Sequence, residues 1–119
     1  MDIKELYSKI GGNFEDVLGR LMKEAFVEKF ALMYPKDTSY ETLMAAIEKG
    51  DINEQFREAH SLKGVAANLG FEELRKAASK LTEQLRPQTA PADAALVEAV
   101  KAAQQKTIAG LAEYQAQQK

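Results

Sequence analysis

The sequence predicts an all-α protein, an antiparallel four-helix bundle with an additional short N-terminal helix. Apolar residues recur at three- and four-residue spacing along nearly the whole chain, and no stretch alternates with period two over strand length. Helix-stopping residues (Gly11-Gly12, Pro35, Gly50, Gly70, Pro87) fall at helix-length intervals. Long helices joined by short connections must bury their stripes on one another, and four antiparallel helices are the natural closure. At 119 residues the chain has the length of one domain, expected to span 1–119.

The elements follow in order. Ile3, Leu6, Tyr7 and Ile10 give a short amphipathic helix that ends at Gly11-Gly12. Asn13 caps the next, with Asp16 in its first turn. That helix is expected to run unbroken to Met33, about 30 Å, with Phe14, Phe26 and Phe30 in the core and Pro35 as its stop. Met22, Met33 and Met44 read as core filler. Thr38 with Glu41 fits a capping box. The helix it opens presents Tyr40, Leu43, Met44 and Ile47 and ends at Gly50 as a left-handed cap. Asp51 with Glu54 starts a helix whose inward stripe is Phe56, Ala59, Leu62, Ala66 and Leu69. Gly70 closes it, and Phe71 folds back on its end. Leu74, Ala78, Leu81 and Leu85 mark a helix that stops at Pro87, and Pro91 is placed just inside the start of the last one.

Composition removes most chemistries. Sixteen Lys and Arg against 18 Asp and Glu leave a net charge of −2, without the basic excess that phosphate contacts to nucleic acid require. There is no cysteine, hence no disulfide, thiolate nucleophile or thiolate-bound zinc, which fits a reducing, cytoplasmic setting. Apolar runs fall far short of the ~20 residues of a membrane span, so no insertion is expected, and the N-terminus lacks the pattern of an export signal. No GxxxxGK[ST] phosphate loop is present. Any histidine chemistry has to use His60, the only one.

His60 falls at the edge of its helix's inward stripe, sharing a surface with Phe56, Lys63, Gly64 and Ala67. Gly64 is the residue needing a reason, since a glycine inside an exposed helix costs about 1 kcal/mol relative to alanine. Close approach by another molecule is the usual one. Lys63, one turn from His60, offers an ammonium to a dianionic group on the ring.

The motif HSLKG, then NLG, then the hydrophobic-acidic start Phe71-Glu72-Glu73-Leu74, with EKGD at 48–51 nine residues before the histidine, resembles histidine-containing phosphotransfer (HPt) domains of multistep phosphorelays. The core motif region spans 38–86. The resemblance implies an HPt-like helical fold and a phosphorelay intermediate, not an enzyme in its own right. His60 would be the phospho-acceptor, through Nε2, with Lys63 contacting the phosphoryl oxygens and Gly64 admitting the partner. Partner docking is expected on Phe56, Gly64 and Ala67, joined by Leu6 or Ile10. Thr82, Arg86 and Arg75 are the polar side chains of the next helix that could support the histidine. The implied partners are response-regulator receiver domains and a histidine kinase or hybrid kinase. No cofactor of the chain's own is implied, because the divalent metal belongs to the receiver. The alternative is a binding-only helical adaptor, or degenerate HPt domain, that docks a receiver without phosphorylation.

Overall fold

The computed structural model describes residues 1–118. Seven α-helices lie among them: α1 (Ile3–Lys9), α2 (Phe14–Leu21), α3 (Glu24–Met33), α4 (Ser39–Lys49), α5 (Ile52–Leu69), α6 (Glu72–Leu85) and α7 (Ala94–Gln117). A 3-10 turn, Tyr34–Lys36, joins α3 to α4. Each helix from α4 to α7 packs on the next, α1 lies on α7, and α3 touches both α5 and α7.

Several ends form as their local chemistry dictates. Asp51 accepts the Glu54 amide at the start of α5, and Asn13 accepts that of Asp16 at the start of α2. Gly50 and Gly70 sit in the left-handed region, at φ 74° and 70°. At Gly70 the Phe71 amide reaches the Ala66 carbonyl at 2.9 Å and the Gly70 amide that of Ala67 at 3.2 Å, a Schellman pair. Phe71 is thereby buried at the centre of an aromatic group, 5.7 Å from Tyr7 and 5.3 Å from Tyr34 between ring centroids.

The expected helix from 14 to 33 is in fact two. Met22 adopts a left-handed conformation at φ 73°, and the chain restarts from Lys23. The burial pattern supplies the reason. Phe14, Val17 and Leu21 make one stripe, whereas Val27, Ala31 and Tyr34 make another. On an unbroken helix, at about 100° per residue, the two would be offset by roughly 100°, so one of them would miss the core. The break turns both inward at a cost of about 1–2 kcal/mol for a non-glycine left-handed residue. It also reverses the expected burial of the larger side chains: Phe26, Phe30, Met22 and Met33 are exposed, while Phe14 is buried and Met44 half-buried.

Three smaller expectations also change. Thr38 makes no side-chain cap; Asp37 accepts the Ser39 amide at 2.8 Å instead. Pro91 lies outside α7, which Asp93 caps through the Leu96 amide. The linker is pinned there by Gln84, which bonds the Pro91 carbonyl and the Asp93 amide. In α5 the fully buried position is Gln55 rather than Phe56. Its amide donates to the Ala46 carbonyl and accepts from the Ala92 amide, tying α4 and the linker to α5; among the described residues no buried side-chain polar atom is left unpaired.

The segment before α4 clamps the C-terminal end of α5. Tyr7 donates to the Leu69 carbonyl at 2.6 Å, Arg20 to those of Ala67 and Asn68, and the Asn13 amide to that of Gly70. The Asn68 and Leu69 carbonyls are among those a helix end leaves without partners, and that of Ala67 takes Arg20 as a second donor beside the Gly70 amide. Burial raises the Tyr7 pKa well above the ordinary tyrosine value, so the hydroxyl remains a donor.

Candidate functional site

The site is built on the middle of α5, whose inner residues Ala59, Leu62 and Ala66 are fully buried and fix the helix's rotation. That rotation leaves His60 and Gly64 exposed and Lys63, Ala67 and Phe56 half-buried, on one continuous face. Lys63 makes no ion pair among the described residues, so its ammonium is uncommitted. A Cβ added at Gly64 would meet nothing within 4 Å, so nothing inside the chain accounts for the glycine.

The imidazole stacks on Phe56, with 6.2 Å between centroids and 15° between planes. The Arg86 guanidinium lies over the same phenyl ring at 5.4 Å. Arg86 is held by Glu83 through a forked contact, Nη2 to Oε2 at 2.6 Å and Nε to both oxygens at 3.1 and 3.2 Å. That hydrogen bond is the main reason the Glu83 carboxyl lies below its usual range; the charges of Lys63 and His60 add smaller contributions of the same sign. The face around His60 thus combines one nucleophilic ring, one free cation and one arginine already paired to a carboxylate. It can present an imidazole nitrogen to an incoming electrophile and neutralise anionic oxygens close to it.

Of the residues expected at the site, Phe56, His60, Lys63, Gly64 and Ala67 share one face of α5, and Arg86 reaches it from α6. Thr82 does not. It is fully buried, and its hydroxyl is spent on the Ala78 carbonyl at 2.7 Å, the back-bond a hydroxyl makes when no other partner is near. Arg75 is committed to Glu72, with Nη2 to Oε1 at 2.5 Å. Leu6 and Ile10 cannot join a docking surface, because both are buried against α7, where Gly110 leaves the space that Ile10 fills. Glu83 escaped the sequence reading. The available signal was its position three residues before Arg86, the spacing of a helical ion pair.

Among the described residues no helix is long and apolar enough to cross a membrane, and no three His, Asp or Glu side chains gather as metal ligands. Comparison with curated proteins and with solved structures gave no match. The family model described as "Hpt domain" matches residues 37–113, well over half of the chain, from the start of α4 into the last turns of α7. With an exposed histidine inside the matched segment, the chain belongs to the Hpt-domain family, whose members are phosphotransfer-type signalling domains.

Proposed function

We propose that this chain is a phosphorelay intermediate in which α4 to α7 form the antiparallel bundle that carries His60. The imidazole Nε2 attacks the phosphorus of a receiver-domain aspartyl phosphate, or of a kinase donor. From the aspartyl phosphate the N–P bond forms as the P–O bond breaks and the electron pair leaves on the aspartate carboxylate; from a kinase phosphohistidine the donor's own N–P bond breaks and the pair stays on the donor ring. The reverse step delivers the group to a response-regulator aspartate. Such a transfer needs in-line positioning and charge neutralisation more than covalent machinery. The chain therefore supplies nucleophile, Lys63 and an open face, and the receiver supplies the divalent metal and acidic pocket. No catalytic activity independent of a partner is expected, and a reducing, cytoplasmic compartment suits the reading.

The observation that carries this reading is the pairing of an exposed His60 with a Gly64 whose missing side chain faces open space. A mid-helix glycine that no intramolecular contact requires is accounted for by an approaching partner. The test is incubation with phosphorylated receiver domains, followed by the chemistry of the label. An acid-labile, alkali-stable label supports a phosphohistidine. No label, with receivers still binding the same face, would support a binding-only adaptor instead.

Two substitutions probe the roles of the neighbours. Gly64→Gln should slow transfer at least ~10-fold by obstructing approach, while stability rises by up to about 1 kcal/mol because glutamine is the better helix former. Single-turnover transfer and thermal unfolding measured together check this, and an unchanged rate removes the close-approach argument. Lys63→Ala should slow transfer by about 10- to 100-fold, the worth of a hydrogen bond to a charged group at about 1.5–3 kcal/mol. An unaltered rate and phosphohistidine lifetime would make Lys63 ordinary surface.

A further inference from the structure

Two cations stand beside His60, and only one of them is available. Lys63 has no carboxylate partner among the described residues. Arg86 lies on the phenyl ring that the imidazole also stacks on, yet its guanidinium is turned to Glu83. The Glu83 carboxylate takes Nε on both oxygens at 3.1 and 3.2 Å and Nη2 on Oε2 at 2.6 Å.

The fold does not need this pair. Rotation of α6 is fixed by Leu74, Ala78, Leu81 and Leu85, all fully buried, whereas the Arg86 and Glu83 side chains are 52% and 57% exposed. Glu83 does belong to the electrostatics of the site. Arg86 is the main reason its carboxyl lies below the usual range, and Lys63 and His60 add to the effect. An ion pair this open is weakly held and can lose its arginine to a stronger anion. A phosphoryl group on His60 is such an anion, with more charge than a carboxylate and three acceptor oxygens.

We propose that Glu83 is a positioning residue that withholds Arg86 from the phosphoryl group on His60 and thereby keeps that group transferable. The inference rests on the carrier reading and deepens it by naming what sets the balance between capture and release. Once Nε2 carries the phosphoryl group, Lys63 neutralises part of its charge. Arg86 can add to this only by leaving Glu83, and a bare carboxylate then stays beside a dianion. That penalty falls on the phosphorylated state alone. In the onward step a receiver carboxylate oxygen attacks phosphorus. The P–O bond forms, the N–P bond breaks, its electron pair returns to Nε2, and Arg86 returns to Glu83.

The test measures how the phosphoryl group partitions at equilibrium between this chain and a receiver domain that exchanges with wild type. The equilibrium is approached from both sides, starting from phosphorylated receiver and from protein labelled with phosphoramidate. Wild type is compared with Glu83→Gln, Arg86→Gln and the double variant, each checked for helicity. Altered docking changes the forward and reverse rates alike, so it leaves the partition between the free species where it was. Glu83→Gln should move the partition toward His60 by about 3- to 10-fold, the range of a charged hydrogen bond near the surface. In the Arg86→Gln background the same substitution should move it less than about twofold, because no arginine remains to be released.

A partition within about twofold of wild type in folded Glu83→Gln, or a shift toward the receiver, would overturn the proposal. So would the full shift persisting in the Arg86→Gln background, which would assign it to direct repulsion between carboxylate and phosphoryl group. These results leave the carrier reading standing. Absence of phosphoramidate labelling on His60 in wild type is a separate result, and it would overturn the carrier reading itself and this proposal with it.

Discussion

Replacing His60 by glutamine is expected to remove phosphoryl acceptance entirely while leaving the fold at wild-type stability. Glutamine keeps much of the side chain's bulk and polarity but has no nucleophilic nitrogen, so no N–P bond can form. The ring is exposed and makes only the stacking contact with Phe56, so the stability change should lie within about 0.5 kcal/mol. Receiver binding should persist, because the docking residues are untouched. Transfer assays, urea unfolding and a binding titration on the same preparation check the three parts. Retained acceptance would place the phosphoryl group elsewhere, and a large loss of stability would make His60 a structural residue.

Substituting Gly70 with alanine should destabilise the fold strongly for so small a change. Its φ of 70° costs an L-residue about 1–2 kcal/mol. The added Cβ would also sit 2.8 Å from the Val17 Cβ and 2.9 Å from the Asn13 carbonyl oxygen, a backbone atom that can yield only if the α1–α2 turn shifts. Such overpacking adds about 1–3 kcal/mol. Gly50 supplies the control: its φ is 74°, but an added Cβ there meets nothing within 4 Å. Gly50→Ala should therefore show only the backbone penalty, and Gly70→Ala roughly twice that or more in chemical denaturation. Equal losses would mean that the turn before α2 does not bear on the end of α5. Because that turn and Arg20 hold the last carbonyls of α5, Gly70→Ala should also impair transfer, through the position of the helix that carries His60.

What the sequence makes legible is what local chemistry decides. The start of α5 at Asp51, its end at Gly70 and the fold-back of Phe71 depend on residues within a turn of each other. The face holding Phe56, His60, Lys63, Gly64 and Ala67 follows from helical spacing alone. The errors fall where distant contacts choose between locally equivalent options. Segment 22–34 is apolar on both sides, so periodicity cannot say whether Phe26 and Phe30 or Val27 and Ala31 face inward. Tyr34 settles it by packing against Phe71 and bonding Gln104, seventy residues away.

The same holds at the site. Thr82 and Arg86 are a turn apart on α6, yet one is sealed in the core and the other lies over Phe56, because Leu81 and Leu85 set how far α6 is turned. Leu6 and Ile10 look available on a short N-terminal helix until Gly110 of α7 gives them a seat. Gln55 could not be placed inside from its polarity, since its partners, Ala46 and Ala92, are nine and 37 residues away.

The measurement that bears most directly on the central claim is the location of the phosphoryl group. Wild-type protein would be labelled from a phosphorylated receiver domain and examined by phosphorus NMR and by mass spectrometry under alkaline conditions. A single phosphoryl group on the imidazole of His60, discharged when a fresh receiver is added, is the predicted result. Label on any other residue, or label on His60 that no receiver can remove, would contradict a relay through this histidine.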